Sequence, residues 1–379
     1  MFHKTRGNTE NAFLRKIRPE EPAAGLEMNT EEYIMLTERQ NFLETVRNGK
    51  PDRFANQFRA LALAMATPYG GGLLAPGTVD YEDEWGVHWS FPEGTPGQFP
   101  IHTPDKIVIK DIENWRDYVK FPKVEFSDEE WAPFVGMAAA IDREKYLVTC
   151  MVAPGIFEMC HHLQEIQNCL MNFYEYPDEM HELIDALTEW ELKKAEQLCK
   201  YIKPDALFHH DDWGSHNSTF ISPEMFREFI KPAYEKIYGY YKAHGVEVII
   251  HHSDSFAATL VPDMIDMGVD VWQGVVSTNN IPELIEKYRG QICLMGCIDS
   301  AKVDFPGWTK EDIKREVRKA CDAFGTNVIH GASIGGPMSS LYGVYDAITE
   351  AIDEYTCEKF GYDPAELAAA AGEHFLKFC

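Results

Sequence analysis

Histidine and aspartate crowd the ends of short apolar runs in this chain. Leu207 and Phe208 lead into His209, His210, Asp211 and Asp212, and Ile249 and Ile250 lead into His251, His252, Ser253 and Asp254. Trp272 and Gln273 follow Val271, Asp299 follows Met295 and Gly296, His330 follows Val328 and Ile329, and Glu158 follows Val152 and Gly155. Imidazoles and carboxylates together suit either a metal or acid–base work. His252 and Asp254 stand two apart at the end of an extended run, so both project to one side and can reach one ion. His330, on the last run, would approach the same ion. Such a ligand set suits zinc and leaves a position open for substrate. Plainer readings exist for each residue. His252 and Asp254 can hydrogen-bond each other, a single His can be a satisfied core residue, Trp272 can be packing, and the Asp211–Asp212 pair can cap a helix. What points to a site is the coincidence of several such ends. Other chemistries lack their residues: there is no GxSxG elbow and no phosphate-binding P-loop. Cys150 and Cys293 lie inside apolar runs, and Cys297 stands at the end of one.

The runs that carry these residues alternate with helical patterns from Lys145 onward. KYLVTCMVAP, PDALFHHDDW, VEVIIHHSD, VDVWQGV, QICLMGCID and NVIHGASIGG read as strands, each followed by a segment of helical spacing. Pro177 opens one helix, Ser222-Pro223-Glu224 starts another, and Thr309 with Asp312 caps a third. The final helix spans about Val344 to Tyr355. Strands alternating with helices imply a parallel sheet with helices outside. Two more strands in the first half, with FANQFRALALAMAT and KIVIK as candidates, would close a (β/α)8 barrel. No glycine-rich dinucleotide turn supports the open doubly wound alternative. In a barrel the strand ends line one mouth, where barrel enzymes do chemistry.

The first half is less regular. Residues 1–28 are polar and read as an N-terminal arm or an oligomer contact, leaving 29–379 as a single barrel domain. Asn29 with Glu32 predicts a helix start that runs through Tyr33, Leu36 and Phe42 and stops before Pro51. Residues 66–106 are rich in Gly, Pro and aromatic side chains, and a connection that long is usually functional or lid-like. It is expected to cover part of the site, with Tyr69, Trp85, Trp89 and Phe91 holding an aromatic ring.

Bulk properties narrow the partners. The chain has 379 residues, is 45% hydrophobic and carries a formal net charge of -26. So acidic a surface repels nucleic acid and anionic membranes, and no apolar run reaches the ~20 residues of a membrane span. The nine cysteines are scattered without zinc-finger spacing, and MFHKTRGNTENAF has no apolar signal region. FLKFC lacks the three residues that a prenylation box needs after its Cys. These features predict a cytoplasmic protein with reduced thiols.

The chain resembles the uroporphyrinogen decarboxylase superfamily, and within it the corrinoid-dependent methyltransferases, from about Leu43 to Tyr355. RNGKPDR, DEWGVHW, DDWGSHNSTFISPEMFREFIKPAYEKI, HHSDS, DVWQGV and MGCIDS carry the likeness, the third of these being the most specific. The resemblance implies a (β/α)8 barrel with its site in the mouth, and a fold that often forms homodimers. Decarboxylases of the superfamily grip porphyrin carboxylates with an Arg-rich segment, where FRALALAMATP offers Arg59 alone. The branch that methylates thiols has a His-x-Cys zinc motif, where this chain reads His252-Ser253-Asp254, and a later Cys near the place of His330 and Gly331.

The His-Ser-Asp-Ser and Asp-Asp-Trp-Gly patterns are similar to those of the substrate-side methyltransferases of O-demethylase systems. That resemblance implies methyl transfer from a phenyl methyl ether, a small-molecule donor, to cob(I)alamin on a partner corrinoid protein. A phenolate, whose acid has a pKa of about 10, is a poor leaving group, so its oxygen must be protonated or coordinated as the bond breaks. On this reading His252 and Asp254, with His330, bind zinc or act as the acid. Asp211 and Asp212 orient them, His210 and Glu158 line the pocket, and Trp213 and Gln273 contact substrate. A methyltransferase acting from the corrinoid to a thiol or folate, a cofactor-free decarboxylase and a ligand carrier are the competing readings. The first two lack their Cys at 254 and their Arg cluster, and the density of ionisable groups argues against the third.

Overall fold

The computed structural model describes residues 35–64, 67–69, 74–95, 97–334, 336 and 339–371. The chain divides into Met1–Met35 and Leu36–Cys379, and the elements below lie in the second unit. The strands are β1 (Ala55–Asn56), β2 (Leu61–Ala64), β3 (Thr78–Glu82), β4 (His88–Phe91), β5 (Phe99–Pro100), β6 (Leu147–Val152), β7 (Ala206–His210), β8 (Val248–His252), β9 (Val271–Val275), β10 (Cys293–Ile298) and β11 (Val328–Ala332). The helices are α1 (Glu38–Val46), α2 (Trp115–Tyr118), α3 (Asp128–Ala139), α4 (Ile156–Gln164), α5 (Ile166–Glu175), α6 (Pro177–Tyr201), α7 (Pro223–Met225), α8 (Lys231–Ala243), α9 (Val261–Asp266), α10 (Ile281–Tyr288), α11 (Lys310–Phe324), α12 (Val344–Phe360) and α13 (Pro364–Ala371).

Eight strands form one parallel sheet in the order β1-β11-β10-β9-β8-β7-β6-β2. Its two edges, β1 and β2, are separated in the chain by residues 57–60 alone. One stretch of chain therefore pairs with β11 on one side and with β6 on the other, and the curled sheet closes as a barrel. Both missing strands come from the FANQFRALALAMAT segment. KIVIK is not a strand: Val108 and Ile109 pack on the helical layer, and the Ile109 amide donates to Leu163 O at 2.8 Å.

Alternation along each strand sorts side chains into two cores. Leu61, Leu147, Phe208, Ile250, Met295 and Ile329 fill the barrel interior. Val148, Leu207, Ile249, Trp272, Leu294 and Val328 face the helices. Burying each such aliphatic side chain stabilises the fold by roughly 1.5–3 kcal/mol. Because both faces are covered, the strands read as unbroken apolar runs.

Local chemistry sets the helix ends. Ser222 Oγ accepts from Met225 N, Thr309 Oγ1 accepts from Asp312 N, and Pro177 occupies the first turn of α6. The start predicted at Asn29, with Glu32 and Tyr33, lies outside the described residues. The described helix begins later, at Glu38, where Thr37 and Gln40 form a reciprocal capping box, and Leu36 precedes it.

The 66–106 segment is not a plain loop, since β3, β4 and β5 pair as a small antiparallel sheet within it. Tyr69 and Trp85 of this segment pack on the helical layer outside the barrel. Trp85 meets Trp190 of α6 at 4.9 Å and Phe121 at 5.4 Å, while Tyr69 lies against Phe126 and Trp131 and donates to Val124 O. Among the described residues, no helix is long and apolar enough to cross a membrane.

Candidate active site at the barrel mouth

His210, His252 and Gln273 stand at matching register on three neighbouring strands, β7, β8 and β9. Phe208, Ile250 and Val271, two residues earlier on each strand, belong to the interior core, so these three side chains share the interior face at the strands' C-terminal ends. The two imidazoles stack, with centroids 4.2 Å apart and planes 20° from parallel. His252 Nδ1 hydrogen-bonds Gln273 Oε1, and His210 Nδ1 lies 2.8 Å from Glu158 Oε2 in the first turn of α4. Both acceptors require a proton on Nδ1, which leaves each Nε2 to face the mouth. Asp212 Oδ1 lies 3.8 Å and Asp254 Oδ2 lies 4.0 Å from His252 Nε2. The Asp254 amide donates to Asp212 Oδ1 at 2.9 Å, which couples the two loops.

One ligand atom each from His210, Asp212 and His252 lies within 4.8 Å of the other two. Two imidazoles whose far nitrogens are held by oxygen acceptors, beside a carboxylate, match the donor chemistry and outer-shell support of a zinc site with an open position. The residues therefore fit a metal, but with His210 and Asp212 in place of His330.

The charges of these groups are tightly coupled. Burial opposes the His210 cation, but the Glu158 carboxylate outweighs it and pushes the imidazole up to about 10. Burial likewise opposes the Glu158 anion, and His210 reverses the balance, holding it down at about 2. Burial, then the neighbouring His210 charge, pushes His252 down to about 3. Burial, reinforced by Asp254, pulls Asp212 well above the usual carboxylate range, and burial also raises Asp254. Three carboxylates and two imidazoles thus share a desolvated mouth that holds more acceptors than cations.

A second set of residues on the same strands points away from the interior. His251 stacks on Trp213 at 3.8 Å, and Tyr238 Oη bridges His251 Nδ1 at 2.7 Å and His209 Nδ1 at 2.9 Å. His209 Nε2 lies 3.0 Å from Glu191 Oε1. Asp211 is fully buried and accepts from the Phe157 and Glu158 amides, from Trp213 Nε1 and from Tyr234 Oη. It fastens the N-terminus of α4, and so places Glu158 beside His210. Gly155 is required there, because a Cβ would fall 2.5 Å from Asp211 Cβ.

Of the residues singled out from sequence, the fold brings together His210, Asp212, His252, Asp254, Glu158 and Gln273. Asp211 and Trp213 sit behind the strands, in the layer under the helices. His330 faces the helices too: its Nε2 meets Gly325 O at 2.7 Å and its ring meets the edge of Phe54 at 5.3 Å. It follows Ile329, an interior residue, so alternation turns it outward. Tyr69 and Trp85 are held in the helical layer rather than at the cluster. Arg59 is locked in a two-pronged ion pair with Asp353 of α12, 2.6 Å on each prong. Gln57 carries no motif in the sequence, and it is buried where the barrel strand breaks. The described cysteines are free thiols. A shallow cavity lined by Thr45, Val46, Ile285, Ile292 and Asn327 lies at the other end of the barrel and holds none of these groups.

Comparison with known proteins adds three findings. The family model described as uroporphyrinogen decarboxylase (URO-D) matches residues 86–355. The methylated-thiol–coenzyme M methyltransferase of Methanosarcina mazei is 24% identical over 267 residues, which cover 67% of this chain. The match spans 65% of that relative, less than two thirds of its length. A solved methyltransferase from Methanosarcina mazei has the same fold, with a TM-score of 0.61 at 15% identity, over 84% of this chain and 99% of that one.

Proposed function

The chain belongs to the uroporphyrinogen decarboxylase family, and from that premise we propose that it is a methyltransferase. It takes a methyl group from a methoxylated small molecule, an aromatic O-methyl donor, and delivers it to cob(I)alamin on a separate corrinoid protein. The observation that carries this reading is the convergence of His210, Asp212 and His252 at the barrel mouth. The similar proteins named as methyltransferases support the reaction class. The engagement of Arg59 by Asp353 speaks against porphyrin binding, since its guanidinium is already satisfied.

His210, Asp212 and His252 would hold a zinc ion, with Asp254 next to them. Bound there, zinc would supply Lewis-acid stabilisation of the oxygen that leaves as the methyl departs. The protein's own part is positioning. Gln273 fixes the His252 tautomer, Glu158 fixes His210, and the α4 anchor on Asp211 fixes Glu158. Asp254, 4.0 Å from His252 Nε2, stands where it can carry a proton to the leaving oxygen. Among the described residues the cluster contains imidazole and carboxylate groups and no thiolate, and oxygen and imidazole ligands leave a harder metal centre, better matched to an ether oxygen than to sulfur.

A methylated thiol as donor is the second reading, and the name of the Methanosarcina relative favours it. Incubating the purified protein with reduced corrinoid protein and matched pairs of aryl methyl ethers and aryl methyl thioethers separates the two. Methylation of cobalt from the ethers is expected. Methylation from thioethers alone would transfer the reading to sulfur, and no methylation from any donor would overturn it.

A further inference from the structure

The barrel wall is broken between β1 and β2, and the break is built around an unusual residue. Phe58 adopts φ +62°, a left-handed conformation that a bulky aromatic residue rarely takes and that persists where surrounding structure holds it. The break lies within a fully buried stretch, with Gln57 at 2% and Phe58 at 7% exposure.

Gln57 extends the β1–β11 ladder by one residue, its amide donating to His330 O at 2.8 Å. It lies two residues beyond Ala55, an interior residue, and so takes the interior face. Its side chain crosses Gly331, the inward-facing position after His330. A Cβ on Gly331 would meet Gln57 Oε1 at 1.7 Å and Gln57 Cβ at 2.5 Å, so only glycine leaves room for it. The Phe58 ring meets Phe208 at 5.6 Å, and Phe208 meets His252 at 6.0 Å, which ties this break to the titratable cluster.

Gln57 Nε2 is buried and donates to no group among the described residues. Gln273 Nε2 is in the same state, its Oε1 being committed to His252. Two primary amides on different strands thus turn unspent N–H donors to one interior. Unpaired buried donors are unfavourable, and a binding site that leaves them unpaired when empty gains from a ligand that pairs them. An amide N–H pairs well with oxygen and poorly with a thioether sulfur.

We propose that Gln57 is a substrate-binding residue that donates to a second oxygen of the methyl donor, distinct from the oxygen that loses its methyl group. The site then selects aryl methyl ethers that bear another oxygen substituent on the ring. This rests on the methyl-donor reading above and names its substrate class.

Calorimetric binding of anisole, of 2-, 3- and 4-methoxyphenol and of 1,2-dimethoxybenzene, without corrinoid, tests it. The variants are Gln57→Met, which keeps the shape and removes the donors, and Gln57→Glu, which keeps the shape and replaces donors with acceptors. Wild-type protein should bind its best methoxyphenol roughly tenfold or more tighter than anisole, one hydrogen bond's worth of discrimination. Gln57→Met should bring that ratio near one. In the transfer assay it should raise KM for the methoxyphenol by roughly tenfold while changing kcat by less than about threefold. Gln57→Glu should lose any preference for 1,2-dimethoxybenzene, whose second oxygen can only accept, so the test survives poor folding of either variant. A preference retained in both variants, or absent from wild type, overturns the proposal. If wild type discriminates in binding but never methylates cobalt, the methyltransfer reading fails and the binding assignment stands. Transfer without discrimination gives the reverse.

Discussion

His251 and His252 are neighbours on one strand, as are His209 and His210, yet the members of each pair live in different environments. The first of each faces the helices, inside a buried network with Tyr238 and Trp213. The second faces the barrel interior, where its Nδ1 is held and its Nε2 turns to the mouth. His251 spends both ring nitrogens on the fold, on Tyr238 Oη and Asp211 O, and His209 spends its Nδ1 on Tyr238 Oη, whereas the inner histidines turn Nε2 to the mouth. Identical residue types, one position apart, thus divide into scaffold and site by strand alternation alone.

The division can be broken most forcefully at Asp211, which belongs to the scaffold. Asp211→Ala strands four donors in a buried layer, so denaturant unfolding should register a loss on the order of 4 kcal/mol. His330 offers a pH version of the same test. Burial holds its imidazole at about 4 in the fold, below the ordinary value of 6.5. A depressed pKa gives stability that is full above pH 6.5 and is lost as pH falls through 4, amounting to about 3 kcal/mol. His330→Leu should therefore be less stable than wild type at pH 7, for want of the Gly325 hydrogen bond, and should close that gap by pH 4.5 in urea titrations. A metal ligand at this position would instead show lost metal in the variant.

Glu158 sharpens the comparison from the other side, because it supports an interior histidine. Glu158→Gln should weaken zinc binding by roughly 10- to 100-fold in a chelator competition, with little change in unfolding. The smallest effect is expected at Trp85. Packed on Trp190 rather than at the cluster, it should change KM for the methyl donor by less than about threefold when replaced by Leu.

The sequence made the strand–helix alternation and the strand-end clusters readable, because short β-branched apolar runs and helix caps are local signals. Which His of each pair faces inward was not readable. Both faces of a covered parallel sheet are apolar, so Leu207-Phe208 and Ile249-Ile250 carry no alternation to show the interior. The same ambiguity put His330 at the site. His252 and Asp254 were paired by two-residue spacing, but the closest ligand set also draws His210 and Asp212 from the neighbouring strand, a matter of register between β7 and β8 that no single segment encodes. The break at Gln57 and Phe58 has neither Gly nor Pro to announce it. The aromatic residues of the 66–106 segment looked like a ring-binding lid, but Tyr69 and Trp85 are consumed in packing against Trp131 and Trp190.

The most direct test of the account is a paired measurement of cobalt methylation by His252→Ala and His251→Gln, with reduced corrinoid protein and a methoxyphenol donor. The account predicts that His252→Ala falls by at least about a thousandfold with its unfolding curve nearly unchanged, whereas His251→Gln stays within about tenfold of wild type and loses stability instead. Wild-type rates in His252→Ala, or loss of methylation confined to His251→Gln, would contradict it.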